Sequence, residues 1–237
     1  MANSFFRFKR FTVHQALNPM KVCTDACLFG AWMPLPQTGR LLDIGTGTGL
    51  LSLMAAQRSN ASVDAVELQA EAALEARANV HDSPWRNRIA VYQGDILNPH
   101  QPVFKNQYDA VFSNPPFYDN HLLPMNAAYA TAHHQRSLSL PALLEVCTVL
   151  LSRHGVLSLL LPAQYENSID GLTKTAGFYL HRRTLVKNTA GTKLIRVMVA
   201  VGRVEKETMQ DEIAIYNDDK SYTHAFTQLL SPFYLYL

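Results

Sequence analysis

The chain has 237 residues, 48% of them hydrophobic and 17% charged, with a formal net charge of +2 at pH 7. That is enough for one elaborated α/β domain with a sizeable core and short terminal extensions. The longest apolar run, "GVLSLLLPA", is strand-sized, which argues against a membrane partner, and the near-neutral balance alone neither requires nor excludes a nucleic acid.

In chain order, residues 1–37 read as a polar-aromatic extension and residues 38–237 as the main domain. Near its start, "FFRFKRF" interleaves Arg7, Lys9 and Arg10 with Phe6, Phe8 and Phe11, a mixture suited to phosphates and unstacked bases. The same alternation suits an edge strand whose aromatics are buried. Strands and helices then alternate. "RLLDIG" (40–45) is a predicted strand, "GLLSLMAAQR" (49–58) a helix, "ASVDAVEL" (61–68) a strand and "QAEAALEARANVHDS" (69–83) an Ala-rich helix. "RIAVYQGD" (88–95) and "YDAVFSN" (108–114) are strands, "LPALLEVCTVLLS" (140–152) a helix, "GVLSLLLP" (155–162) a strand and "QYENSIDGLTKTAG" (164–177) a helix. The β-rich runs "FYLHRRTLV" and "LIRVMVAVG" are compatible with a closing hairpin. This alternation implies a doubly wound, mostly parallel sheet, whose ligands sit beyond the carboxyl ends of the strands.

Charge is unevenly placed. Between Gly171 and Val204 there are seven basic residues and no acid, and the next stretch reverses sign with Glu205, Glu207, Asp211, Glu212, Asp218 and Asp219. Such asymmetry fits either a polyanion held on one face or segregated surface charge. Cys23, Cys27 and Cys147 are a sparse, odd set, as expected of a reduced cytoplasmic protein, and no histidine or cysteine spacing points to a metal. Nothing in the sequence fixes an oligomeric state, and "SYTHAFTQLLSPFYLYL" at the C-terminus is aromatic enough to pack on the domain or to meet a partner.

The chemistry begins at "LLDIGTGTGLL". Gly45, Gly47 and Gly49 lie between a strand and a helix, where a glycine loop lets backbone approach a ligand closely. The third glycine comes one residue too early for a dinucleotide fingerprint, and Asp43 on the strand before the loop suits a cation better than a pyrophosphate. Glu67, at the end of the next strand, can accept from both hydroxyls of a ribose. Asp95 can accept from an adenine amino group while the Ile96 amide donates to the ring. Acids at three successive strand ends describe an adenosine that carries a positive charge and no phosphate, which is S-adenosyl-L-methionine.

At "FSNPPFYD", two prolines freeze the backbone where a strand empties into a loop. Asn114 can accept one hydrogen of an aromatic amine through its side-chain oxygen, and Pro115 the other through its carbonyl. Phe117 offers a face for the ring, Pro116 stiffens the turn and Tyr118 can wall the pocket. "AHHQR" (132–136), a few residues on, reads as a possible border of the base pocket or as polar surface.

The Asp-x-Gly-x-Gly-x-Gly run, Glu67, Asp95 and "NPPF" together resemble class I methyltransferases acting on amino nitrogens. The block "FRFKRFTVHQALNPMKVCTDACLFGAW" and the "NPPFY" segment resemble the tRNA1(Val) (adenine-37-N(6))-methyltransferase family, over most of the chain, most strongly over residues 6–53 and 108–120 and least beyond residue 203. The resemblance implies a seven-stranded sheet ending in an antiparallel hairpin, S-adenosyl-L-methionine as cofactor, and as substrate the adenosine 3′ of the anticodon in a valine tRNA. It also implies that the N-terminal block covers the cofactor and shapes the cleft, with Lys21, Thr24 and Asp25 as site candidates. Methylation of guanine N(2) in ribosomal RNA or of a protein glutamine can use the same clamp. A non-catalytic RNA-binding factor on this scaffold is the alternative of another class; the intact Asp43, Glu67, Asp95, Asn114 and Pro115 argue against it.

Overall fold

The computed structural model describes residues 3–17, 21–115 and 138–237. Two short strands open it, β1 (Phe5–Arg7) and β2 (Thr12–His14), paired antiparallel, followed by α1 (Thr24–Trp32). The central run is β3 (Arg40–Ile44), α2 (Leu50–Arg58), β4 (Ser62–Glu67), α3 (Ala70–His81), β5 (Ile89–Gln93) and β6 (Tyr108–Ser113). After it come α4 (Leu140–Leu150), β7 (Leu151–Pro162), α5 (Ile169–Thr175), β8 (Tyr179–Lys187), β9 (Leu194–Gly202), β10 (Met209–Ala214) and α6 (His224–Leu230).

The long strands form one eight-stranded sheet in the order β10-β8-β9-β7-β6-β3-β4-β5. Its pairs are parallel except for β9, which runs antiparallel to both β7 and β8, so the predicted hairpin is present. The sheet carries one strand more than the seven that the resemblance implied. Met209–Ala214 adds in parallel beyond β8 and was hidden in the tail, because no local alternation marks "MQDEIA" as a strand.

Strands β3, β6 and β7 are apolar on both faces, as parallel strands covered by helices must be. Leu41, Val63, Ala110 and Phe112 belong to the core beneath α1 and α2, whereas Leu42, Ile44, Val66 and Val111 belong to the core beneath α4. Helix α4 begins at Ser139, whose side chain accepts from the Ala142 amide, with Pro141 in its first turn.

Helix α1 was not anticipated. Every residue from Ala26 to Trp32 is buried, so "ACLFGAW" has no polar face and no readable helical period. It packs so closely on α2 that a Cβ on Gly30 would lie 2.6 Å from the Met54 sulfur. Arg58 Nη1 donates to the carbonyls of Gly30 and Met33, each at 2.8 Å, satisfying the end of α1.

The two chain ends are clasped together. Phe8, Phe11, Phe226, Phe233 and Tyr234 share one buried cluster, so the C-terminal tail packs on the domain. The Lys9 amide donates to the Phe233 carbonyl at 2.8 Å and its ammonium to the Ser231 carbonyl at 2.6 Å. Of the interleaved N-terminal run, Phe8 (2% exposed) and Phe11 (6%) are therefore core and not free to stack on bases. Arg7 and Arg10 remain exposed.

The charge reversal after Val204 has a structural answer. β10 brings the acidic run alongside the basic one, so Asp211 pairs with Arg182 at 2.5 Å and Glu212 with Lys187 at 2.6 Å. Arg183 pairs with Asp170, and Arg196 with Asp25 at 2.7 Å. Of the two readings of this basic run, the polyanion face is thereby weakened, since four of its seven cations are ion-paired. Among the described residues no helix is long and apolar enough to cross a membrane, and no cluster of three His, Cys, Asp or Glu could hold a metal ion.

Candidate active site

Strand order reverses direction around β3: the chain runs on to β4 and β5 on one side and to β6 and β7 on the other. This opens a crevice beyond the carboxyl end of β3. Asp43 stands on that strand with none of its surface exposed. Its Oδ2 accepts from the hydroxyls of Thr46 at 2.6 Å and Ser52 at 2.7 Å, while its Oδ1 has no partner. Burial pushes its carboxyl up to about 6, opposed by the two hydroxyls and reinforced by the nearby Glu67. A buried carboxylate with one unpartnered oxygen is unusual and leaves acceptor capacity unmet beneath the loop.

The glycine loop turns tightly above it. Gly45, Gly47 and Gly49 have φ of 73°, 55° and 84°, a left-handed backbone that other residues adopt only with strain. A Cβ on Gly45 would meet nothing within 4 Å, so the space over the loop is open to a ligand. The amides of Gly45 and Thr46 donate to the Val66 carbonyl, which draws the loop against the end of β4. There Glu67 is held by two backbone amides, Oε2 by Gly47 and Oε1 by Gln69, each at 2.9 Å. Each oxygen keeps acceptor capacity for a hydroxyl. The Gly94 amide donates to the Glu67 carbonyl at 2.8 Å, bringing the end of β5 into line. Asp95 follows, exposed, with Oδ1 accepting from the Leu97 amide at 2.9 Å, and Ile96 is buried.

On the other side of β3, Ile44 is in register with Ser113, and the Ser113 hydroxyl donates to the Ile44 carbonyl at 2.7 Å. This fixes the end of β6, from which half-buried Asn114 and buried Pro115 emerge. By the alternation of the strand, Asn114 shares the sheet face of Phe112, the register partner of Asp43. The structure thus brings Asp43, the glycine loop, Glu67, Asp95, Asn114 and Pro115 to one edge of the sheet. Pro116, Phe117, Tyr118 and the "AHHQR" run lie outside the described residues.

The N-terminal candidates stand around the same edge. The Lys21 ammonium donates to the Gln15 carbonyl, Thr24 opens α1, and Asp25 receives the Ala26 amide at 3.0 Å besides its ion pair with Arg196. Arg7, Lys9 and Arg10 lie at the chain-end clasp instead.

Sequence reasoning missed several residues that shape the site. Thr46 and Ser52 sit inside the quoted loop and helix, but only the fold turns their hydroxyls onto Asp43. Asn79, 1% exposed, lies unmarked in the Ala-rich helix. Its nitrogen donates to the carbonyls of Thr48 at 2.9 Å and His14 at 2.8 Å, and its oxygen accepts from the His14 amide at 2.8 Å. It joins the N-terminal segment to the glycine loop. Glu75, one turn earlier on α3, accepts from the Leu17 amide at 2.9 Å, and Gln15 accepts from the Val22 amide at 2.7 Å.

Comparison with known proteins agrees with this geometry. A family model described as "Methyltransferase small domain" matches residues 24–137. A tRNA1(Val) (adenine(37)-N6)-methyltransferase of Cytophaga hutchinsonii is 41% identical over 244 residues, covering 100% of both chains. The protein of the same description from Aeromonas salmonicida is 41% identical over 98% of both chains, and that from Photorhabdus laumondii 37% identical over 98% of this chain and 95% of its own. Among solved structures, a predicted O-methyltransferase from Agrobacterium tumefaciens superposes with a TM-score of 0.66 at 18% identity, covering 88% of this chain and 96% of that one. The glycopeptide N-methyltransferase MtfA complexed with S-adenosyl-L-methionine gives 0.57 at 13% identity, covering 80% and 98%. At such identities the structures speak for the fold, the class I methyltransferase sheet. The sequence relatives say more: at this identity over nearly the whole length, the chain belongs to the tRNA1(Val) (adenine(37)-N6)-methyltransferase family.

Proposed function

We propose that the chain transfers a methyl group from S-adenosyl-L-methionine to the exocyclic nitrogen of adenosine 37 in a valine tRNA, working in the cytoplasm where that RNA is handled. The observation that carries this reading is the meeting of the acid-lined glycine loop with the Asn114–Pro115 turn, joined by the Ser113–Ile44 hydrogen bond. The orphaned Asp43 oxygen and the open space over Gly45 fit a cationic adenosine cofactor. When bound, that cofactor supplies an electrophilic methyl group on a sulfonium sulfur.

The residues divide the work. The Asp43 carboxylate would offset the charge of the methionyl ammonium, and Glu67 would accept from the ribose hydroxyls. Asp95 and the Ile96 amide hold the cofactor's adenine by its amino edge and ring nitrogen. Lys21 and Thr24 belong to the N-terminal cover of the same ligand.

The target amine is a weak nucleophile because its lone pair is delocalised into the base. The Asn114 side-chain oxygen and the Pro115 carbonyl each accept one of its hydrogens, which draws the nitrogen toward tetrahedral geometry and aims the lone pair along one direction. From the sequence, Phe117 is the candidate to stack on the base and Pro116 and Tyr118 to flank it; the three lie outside the described residues. No general base is needed before transfer, since the methylated nitrogen is cationic and loses its proton readily. Catalysis is then mainly positioning, for which effective molarities in the best cases correspond to about 7–11 kcal/mol. An anticodon loop is a suitable substrate, because a single-stranded base is extruded at lower cost than one in a duplex.

The direct test offers the purified protein two valine tRNA transcripts, one with adenosine and one with guanosine at position 37. Methylation of the first and not the second is expected. Equal labelling of both would overturn the assignment.

A further inference from the structure

Cations that grip a nucleic-acid backbone must be exposed and not already neutralised. On the C-terminal strands Arg182, Arg183, Lys187 and Arg196 fail this condition, since each is ion-paired. At the opposite edge of the sheet the situation is reversed. Arg77 on α3 and Arg86 in the turn before β5 are both exposed and flank a groove of about 310 Å³ floored by Val80 and Ile89. Beside it, the exposed Arg10 guanidinium lies 5.3 Å from the centre of the buried Trp85 ring, next in the chain to Arg86. Among the described residues, none of these three arginines forms an ion pair. The acid at the rim, Asp82, is 3.0 Å from His81. Exposure is not simply a property of the stretch: neighbouring Arg88 turns inward and donates to the carbonyls of Ala56, Ser59 and Ala61.

We propose that Arg10, Arg77 and Arg86 form a phosphate-binding surface for the body of the tRNA, separate from the methyl-transfer site. The inference rests on the reading of the chain as a tRNA methyltransferase and says where the rest of that substrate lies. Guanidinium groups suit phosphate, and here three of them stand exposed around one groove with no ion pair among the described residues to compete. The groove lies at β5, three strand positions from β6, which leads to Asn114. At the usual strand spacing and rise that is about 15 Å sideways and about 13 Å along the strands, since Ile89 is level with Ala110, a separation that a stem attached to the target loop spans. The chain-end clasp acquires a role as well, since it carries Arg10 to this edge.

The test measures the dissociation constant of an unmodified valine tRNA transcript over a range of salt for wild type, R77Q/R86Q and R10Q/R77Q/R86Q. The charge-matched control is K206Q/K220Q, which changes exposed lysines at the far side of the sheet. The triple variant is expected to bind roughly tenfold more weakly, with the slope of log affinity against log salt reduced by about 0.7–0.9 per arginine removed. KM for tRNA should rise while kcat and the dissociation constant for S-adenosyl-L-methionine stay within about twofold, and the lysine control should match wild type. The double variant leaves the Arg10–Trp85 contact intact and should show the same trend with a smaller slope change. If wild type methylates the transcript and both arginine variants keep its affinity and slope, the surface is wrong and the function stands. If wild type methylates no adenosine in the transcript, the function falls and the surface with it. An arginine variant that also loses the cofactor would show structural damage and likewise overturn a role confined to RNA.

Discussion

The Ser113 hydroxyl donates to the Ile44 carbonyl at 2.7 Å, and neither residue is more than 1% exposed. This bond spans two strands where each gives way to a functional loop: the glycine loop after Ile44 and the Asn114–Pro115 turn after Ser113. In the proposed mechanism it therefore sets the separation between the cofactor's loop and the residues that receive the target amine. Replacing Ser113 by Ala should cost about 1–2 kcal/mol in stability, the usual effect of removing one partner of a buried hydrogen bond. Turnover should fall by more than that stability loss explains, with cofactor affinity little changed. Chemical denaturation alongside single-turnover kinetics checks both.

In the proposed mechanism Asn114 carries the amine clamp. Asn114→Ala should fold and bind the cofactor with wild-type affinity, because the strand before it is held by its neighbours. Turnover should drop on the order of 10²-fold or more, the scale found when a positioned hydrogen-bonding group is removed from a catalytic site. Calorimetric titration of cofactor and a methyl-transfer assay separate these two effects.

Asp43 makes the site sensitive to pH. Its folded value, about 6, lies above the ordinary 3.8, chiefly through burial. The proton is thus held more tightly in the folded protein, and the stability this provides is full below 3.8 and lost as pH rises through about 6. Above that range the free protein holds a buried anion that a cationic ligand compensates. Cofactor affinity should therefore increase from pH 5 to about 7 and then level off as Asp43 becomes ionised. Asp43→Asn should bind the cofactor weakly with a flat pH profile. Without ligand, the same variant should melt at or above the wild-type temperature at pH 8. Titrations and melting curves across pH test the two halves together.

Asn79 is the joint between the N-terminal segment and the glycine loop. Asn79→Ala leaves the Thr48 carbonyl and both backbone groups of His14 without their side-chain partner. A loss of about 1–3 kcal/mol is expected for such buried groups. A loosened loop should also raise the cofactor KM about tenfold while kcat at saturation changes less, a split that destabilisation alone does not produce. Steady-state kinetics well below the melting temperature distinguish them.

These effects also mark what could be read from the chain alone. The alternation of strands and helices, the glycine loop and the strand that leads to Asn114 and Pro115 are local patterns, and each appears at its expected position in the fold. Helix α1 escaped because a helix buried on every side has no period. β10 escaped because its meaning lies in a partner: "MQDEIA" becomes a strand by lying parallel to β8, where Asp211 and Glu212 meet Arg182 and Lys187. That pairing offsets two of the cations of the apparent basic face. The aromatics of "FFRFKRF" were ambiguous for a related reason, since their burial is decided by Phe226, Phe233 and Tyr234 more than two hundred residues later. Asn79 could not be singled out by residue type, because its importance comes from two backbone segments that the fold brings to it.

The central claim is a transfer of carbon from sulfur to one exocyclic nitrogen under the guidance of Asn114 and Pro115. It is tested most directly by incubating valine tRNA with the protein and methyl-deuterated S-adenosyl-L-methionine, then analysing the digested nucleosides by mass spectrometry. The label is predicted on the N6 position of a single adenosine, at position 37, and to vanish with Asn114→Ala. Label on guanosine or at another position in the RNA, or undiminished labelling by that variant, would contradict it.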